Sequence, residues 1–409
     1  MPSNLSISAP RGGWTPRRKA MAAGVLAGLA IGAWSTIRNQ PPSANPGQPA
    51  DPIDWSRARS IATSMNRGNA LTATERARLD AEYRELVARC IPIVSAYTGD
   101  HLPPGAERTF AFDRVDWINA NIEGFRRIFE PIQSLAMPSG PGAGAAMLGG
   151  VNRTVLTGEL GAMLGYLARR VLGQYDLVLM GREPLTSGRL YFVEPNIRLL
   201  EQQLSLPNAD FRMWLALHET THAFEFEAHP WVRDHFNALL ERYFAMLRED
   251  AERLRSSGLR GLGQFVTRAR DGQRGEGGWL EALMSPDQRD LFNEMQAMMC
   301  MVEGYSNHVM NAVGKDLLPA YDEISRKFEL RQQQKSPAER MFARITGMSV
   351  KLEQYRLGEQ FIAAIVRRRS HDMARRIWDG PEFLPSMEEI RDPDRWLARV
   401  DARDIARAR

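Results

Sequence analysis

Three residues of this 409-residue chain have the types and spacing to bind and use a metal ion: His218, Glu219 and His222, in the run His218-Glu219-Thr220-Thr221-His222. On a helix the two histidines stand one turn apart and present both imidazoles from one face to a single cation at about 2.0–2.1 Å. Zinc suits that pattern, and Glu219, one residue round the helix, is then placed to take a proton from water. Zinc lowers the pKa of a bound water from about 15.7 toward about 7, so a carboxylate completes its activation near neutrality. The expected chemistry is attack on a polarised carbonyl, which makes the chain a zinc-dependent hydrolase of peptide or amide bonds.

A catalytic zinc needs a third protein ligand and an open position. One common solution, a glycine three residues after His222 and a histidine three further on, is excluded because those positions hold Glu225 and Ala228. Glu225 shares the helix of the pair, and His229 and His235 fall at or beyond the Pro230 break. These three are expected to be supporting or surface groups. Glu303, which opens a second helical segment running to Met310, is the expected third ligand. One turn on, Asn307 could hydrogen-bond a ligating histidine and fix its tautomer. Tyr305 and His308 are candidates to stabilise the oxyanion, where charge develops only in the transition state.

These residues need elements to hold them. Phe211 to Glu227 has strong helix character, with Asn208 and Asp210 as candidate caps and Pro230 as a stop. Leu71 to Ile91 and Trp231 to Arg255 repeat apolar residues every three or four positions, and the segment from Asp316 returns to charged helical patterns, so the body reads as mainly α. The clearest strand is Arg189 to Glu194, with Tyr175 to Met180 as a partner across a Gly181 to Gly188 turn, a small hairpin preceding the metal-binding helix. Its edge could pair with extended substrate. Ser139 to Gly150 reads as a Gly/Ala-rich loop, and Gly158, Gly161 and Gly165 suggest close helix packing.

Of the 53 Lys and Arg residues, Arg11, Arg17, Arg18, Lys19 and Arg38 precede Asp51 in a stretch without a single acid, and the remainder nearly balance the 49 Asp and Glu. The basic pI therefore belongs to a tail, and nucleic acid is not an expected partner. Cys90 and Cys300 are too few for a disulfide framework, and Cys300 in an apolar run reads as a buried thiol. Ala20 to Ile37 is uncharged, follows Arg17-Arg18-Lys19 and spans roughly 27 Å as a helix, barely the hydrocarbon thickness and so a marginal membrane span. Gly24, Gly28 and Gly32 share one face of it. The charge asymmetry favours a cytoplasmic amino terminus and an extracytoplasmic body. A cleaved export signal competes with a retained anchor, and a cytoplasmic location is the further alternative. The resulting organisation is a basic tail over 1–19, an anchor or signal segment over 20–38, a Pro-rich linker over 39–52, a catalytic domain over 53–400 and a charged tail over 401–409.

From Asp54-Trp55 onward the residues resemble a bacterial family, the type 2 zincin-like metallopeptidases. The resemblance is carried by Asp113-Arg114 with Trp117 and Asn121, Val171 to Asp176, Pro195-Asn196, Trp214 to His222, Pro230-Trp231, Glu303-Gly304 and Val309-Met310. Lys351, Gln354-Tyr355, Gly358-Glu359, Phe361 and Leu384-Pro385 extend it. It implies a predominantly helical zincin-like fold, with His218, His222 and Glu303 matching the metal-binding pattern and Glu219 the catalytic one. The family has no established substrate and has been associated with biosynthesis of a deazaflavin coenzyme. Many members carry histidine after the second motif's glycine and aspartate four residues after its glutamate, where this chain has Tyr305 and Asn307.

The leading expectation is thus a membrane-tethered zinc metallopeptidase acting on a peptide or protein. The alternative is a catalytically silent zincin-like scaffold or binding protein. A coenzyme-pathway role has no support in a dinucleotide or phosphate loop, since Gly140, Gly142 and Gly144 lack the strand-loop-helix setting.

Overall fold

The computed structural model describes residues 53–68, 70–105, 108–133, 143–175, 189–246, 248–249, 284–333 and 351–408. Helix α1 (Trp55–Ser64) begins where the Asp54 carboxylate accepts from the Arg57 backbone N–H at 3.0 Å. Helix α2 (Ala73–Thr98) starts with a reciprocal Thr72/Glu75 capping box and stops at Gly99, whose φ of 74° is the left-handed conformation that lets the last carbonyls be satisfied. Strand β1 (Arg108–Phe112), α3 (Arg114–Gln133) and α4 (Ala143–Leu167) follow.

Helix α4 begins inside the Gly/Ala-rich stretch expected to be a loop, so that expectation fails from Ala143 on. The glycines there serve packing instead. A Cβ on Gly161 would fall 2.8 Å from the Ala58 carbonyl oxygen, and one on Gly165 3.2 Å from Ala62 Cα, so α4 lies directly on α1; Gly158 faces open space.

The sheet has three strands, β2 (Gly173–Tyr175), β3 (Arg189–Val193) and β1, in the order β1-β3-β2. β2 and β3 are antiparallel, with Gly173 opposite Phe192 and Tyr175 opposite Leu190. Of the expected partner segment Tyr175 to Met180 only Tyr175 is described, and it pairs with Leu190 in a strand that starts at Gly173; residues 176–188, with the expected turn, lie outside the described residues. β1 adds in parallel, Arg108 to Arg189 through Phe112 to Val193. This makes Arg189–Val193 the central strand, paired on both sides, and β2 the edge. The expectation that Arg189–Glu194 offers an edge to substrate is corrected on that ground.

Beyond β3 run α5 (Glu194–Leu204), α6 (Asn208–Glu227) and α7 (residues 231–246), then the 32-residue α8 (Pro286–Leu317), α9 (Tyr321–Gln333), α10 (Lys351–Arg368), α11 (His371–Arg375), α12 (Met387–Arg391) and α13 (Pro393–Ala408). The mainly α expectation holds. The last helix continues to Ala408, and Arg403 and Arg407 stack over the Phe383 ring.

One apolar core joins α2, α6, α8 and α10 through residues such as Leu79, Phe211, Leu217, Met301 and Ile362. Each such side chain contributes roughly 1.5–3 kcal/mol by leaving water. A smaller cluster of Trp117, Ile118, Leu164 and Val193 lies beneath the other face of the sheet. Both cysteines are buried free thiols, and burial raises Cys90 to about 12 and Cys300 to about 11, which keeps them protonated. No helix among the described residues is long and apolar enough to cross a membrane; the 20–37 stretch lies outside them.

Candidate metal centre

Helix α6 is buried on nearly every side, which is why its sequence carries little amphipathic contrast. Neither expected cap acts as one: Pro207 occupies the N-cap position, and Asp210 instead accepts from the Ala320 backbone N–H at 2.9 Å. A buried network anchors the start of the helix, with Arg212 donating to Glu194 at 2.7 Å and to Glu201 at 2.9 Å while Tyr83 donates to Glu194 at 2.7 Å. Removing one member would leave a buried charge unpaired.

One turn apart on this anchored helix, the His218 and His222 rings stand nearly perpendicular, 79°, and their Nε2 atoms lie 3.2 Å apart. Trp214 stacks parallel to His218 at 6.0 Å. From α8, Glu303 Oε2 reaches within 4.0 Å of His222 Nε2, and ligand atoms of His218, His222 and Glu303 all lie within 4.8 Å of one another.

Glu303 is brought there by backbone-to-backbone packing of α8 on α10. A Cβ on Gly304 would fall 2.6 Å from Glu359 N, and one on Gly358 would run into the Cys300 carbonyl oxygen. Two glycines at the crossing let the helices approach this closely.

Two donors about 2.0–2.1 Å from one tetrahedral ion lie roughly 3.3–3.4 Å apart. The observed 3.2 Å between the imidazoles matches, and the 4.0 Å to Glu303 closes with a small movement of a carboxylate. Two imidazoles and one carboxylate are a donor set that zinc takes in hydrolases. The residues present fit the ion.

The other ring nitrogens are engaged as ligands require. His222 Nδ1 donates to Glu225 Oε2 at 2.7 Å, and His218 Nδ1 lies 3.0 Å from Ser306 Oγ and 3.2 Å from Met310 Sδ. With Nδ1 as the donor, an imidazole in its neutral form presents the Nε2 lone pair to the cavity. Burial, then the neighbouring His222, holds His218 well below the ordinary histidine range, so it is neutral. Burial alone would also depress His222, but the Glu225 carboxylate, followed by Glu303 and Glu219, outweighs it and raises His222 to about 10. Burial raises Glu225 to about 7. Without an ion this pair holds a proton that a cation at Nε2 would displace.

A cavity of about 210 Å³ opens on the three donors, lined by Gly173, Gln174, Glu219, Phe226, Met299 and Val302. Glu219 sits against β2. Tyr305 and His308 do not line this cavity. At 100° per residue, Tyr305 is about 200° and His308 about 140° round α8 from Glu303. Tyr305 is instead buried edge-on against Trp378 at 5.2 Å, and His308 Nε2 meets Tyr97 Oη at 2.8 Å. Both Nδ1 atoms being engaged elsewhere, neither histidine of the pair would have a ring nitrogen left for Asn307 while presenting Nε2 to an ion. His229 turns to Asp100 at 3.3 Å and His235 to Glu294 at 3.6 Å.

Sequence reasoning had no part for Ser306, Met310 or Gly173 at the site. The helical period was a usable signal for the first two, since positions three and seven after Glu303 return to its side of the helix.

Comparison with known proteins bears on this arrangement. A family model described as zincin-like metallopeptidase matches residues 53–397.

This chain belongs to the zincin-like metallopeptidases.

A crystal structure from Chloroflexus aurantiacus, of a candidate hydrolase with a novel fold, is similar at 39% identity and a TM-score of 0.64, covering 85% of this chain and 99% of that one. No curated protein matches.

Within this zincin-like metallopeptidase, the residues that carried the resemblance prove to hold the site from behind. Trp117 Nε1 donates to Gln174 Oε1 at 2.5 Å, Gln174 Nε2 to Asn121 Oδ1 at 3.0 Å, and Asn121 Nδ2 to the Trp117 carbonyl at 2.9 Å. The indole can only donate, which fixes the orientation of both amides. Arg114 donates to Asn196 Oδ1 at 2.7 Å, and Asn196 in turn holds the Ala168 and Val171 carbonyls at the turn into β2. Trp231 Nε1 donates to the Trp378 carbonyl at 2.8 Å, tying α7 to the carboxyl-terminal segment.

Proposed function

We propose that the protein is a zinc peptidase in which His218, His222 and Glu303 hold the ion and Glu219 is the general base. The observation carrying this reading is the meeting of two turns of α6 and one carboxylate of α8 within 4.8 Å of one another. Zinc bound there would supply the Lewis acidity that polarises a carbonyl and acidifies water.

The chain's own residues do the remainder. Glu219 lines the same cavity as the three donors and is the carboxylate that takes the proton from attacking water and returns it to the departing amine. Glu225 and Ser306 hold the imidazoles in the ligating tautomer.

The β2 edge suits an extended peptide. The Val193 N–H donates to the Leu172 carbonyl at 2.8 Å, so in the antiparallel alternation Gly173 is a non-hydrogen-bonded position whose own N–H and C=O point away from β3, toward the free side among the described residues. A substrate strand pairing there would run past the cavity. The 20–37 stretch would tether this body outside the cytoplasm; membrane fractionation and protease accessibility of intact cells test that part.

The test of the catalytic reading is Glu219→Gln. It should keep one zinc per chain by elemental analysis while turnover on a broad library of internally quenched peptides falls by at least about 100-fold. Undiminished hydrolysis would remove Glu219 from the mechanism, and stoichiometric zinc with no hydrolysis even by the wild type would favour the scaffold reading.

A further inference from the structure

Gly173 meets Glu219 more closely than any residue with a side chain could. A Cβ built on it would fall 2.6 Å from both Cγ and Cδ of Glu219, and closer still to Oε1. Real Cβ contacts essentially never come so near, so something would have to give. The glycine is not required by its backbone, because Gly173 is not among the residues with positive φ. It is required by the space the Glu219 side chain fills.

What would give is decided by how firmly each side is held. The strand is held on both flanks: Gly173 lies between the Leu172 carbonyl, bonded to Val193, and Gln174, whose side-chain amide is fixed at both ends by Trp117 and Asn121 on α3. Gly173 and Gln174 point to opposite faces, as neighbours on a strand must, so Gln174 clamps β2 from behind while Gly173 faces α6. The α6 backbone at Glu219 is enclosed between the buried Leu217 and Thr221. What the new methyl meets on Glu219 is Oε1, Cδ and Cγ, the outer atoms of an arm with three rotatable bonds. An added methyl at position 173 therefore displaces the Glu219 carboxylate, while none of the three nearest atoms it meets belongs to His218, His222 or Glu303.

We propose that Gly173 is a positioning residue for Glu219: the absence of a side chain there allows the carboxylate to lie between the edge strand and the metal donors. This rests on the assignment of Glu219 as base, yet the contact itself can be tested without any substrate. Along the chain the two are 46 positions apart, and nothing in their local sequence links them.

The experiment is a double-substitution cycle in the full chain with Gly173→Ala, Glu219→Ala and both together, read first by urea midpoint in metal-free protein. In the wild-type background Gly173→Ala should lower the midpoint; in the Glu219→Ala background, where the methyl has room, it should leave the midpoint unchanged or raise it. An equal loss in both backgrounds overturns the proposal, because it would place the strain in the strand alone.

The second reading uses zinc-loaded protein and the same quenched-peptide library. Gly173→Ala should keep one zinc per chain and lower kcat by at least about tenfold with little change in KM, as expected for a displaced group that acts only in the transition state. Pairing it with Glu219→Asp, whose shorter arm frees the space, should cost less than the two single losses multiplied. Loss of zinc together with activity, or strictly multiplicative losses, would overturn it. Should the wild type hydrolyse nothing, the peptidase reading fails while the urea cycle still decides whether the contact exists.

Discussion

The Glu225 carboxylate Oε2 lies 2.7 Å from His222 Nδ1, three residues on along the same helix, and is itself almost fully enclosed. A buried acid at that distance fixes the imidazole's tautomer and turns Nε2 into the cavity that Glu303 enters from the opposite helix. The sequence offers it as one of several acids near the histidines; its burial and its contact make it the one that orients His222.

Removing that partner should therefore weaken metal binding without touching a ligand. Glu225→Ala is expected to raise the zinc dissociation constant by about 10–100-fold, and Glu225→Gln, which keeps an acceptor oxygen, by less. Competition with a chromophoric chelator reads both, and affinities equal to wild type would show that His222 is oriented by something else.

Zinc should stabilise the fold through all three donors. At a free concentration 100 times its dissociation constant a ligand that binds only the native state adds about 2.7 kcal/mol. The thermal midpoint of the wild type should rise with added zinc and fall back on chelation, while Glu303→Ala should show little of that rise. An equal response in the variant would mean that Glu303 is not a ligand.

The α8 and α10 crossing gives a prediction of sign. In an exposed helix, Gly→Ala gains about 1 kcal/mol in propensity. At Gly304 and Gly358 the new Cβ would meet backbone of the facing helix, which cannot swing away as a side chain does. Overpacking of this kind costs typically 1–3 kcal/mol or more, so contact outweighs propensity and both substitutions should destabilise. Gly304→Ala should also weaken zinc binding, because it pushes Glu303 away from α6. Urea unfolding and chelator competition on the same samples check the pair of effects.

His308 makes one part of the stability pH-dependent. Burial, then the charge of His371, lowers its pKa from 6.5 to about 4. The folded state thus binds its proton less readily than the unfolded state, so this contribution is complete above about 6.5 and is lost as pH falls toward 4. His308→Gln, which can still bond the Tyr97 hydroxyl, should flatten the fall in urea midpoint between pH 7 and pH 4.5 relative to wild type. A parallel fall in both proteins would count against the assignment.

The sequence by itself determined the repeating, local features: a mainly helical body, because apolar residues recur every three or four positions, and the pairing of His218 with His222, because 3.6 residues per turn puts them on one face. It also offered Glu303 as the distant acid. Tertiary structure decided everything that depends on which way an element faces. Tyr305 and His308 stand beside Glu303 in the chain, yet the rotation of α8 against α6 sends them to Trp378 and Tyr97 and brings Ser306 and Met310 to His218. The short β1 pairs with β3 across about eighty residues, and that pairing alone turns Arg189–Val193 from an edge into the centre and leaves Gly173 at the rim. Period is a property of neighbours along the chain, whereas orientation is settled only when distant surfaces are packed against each other.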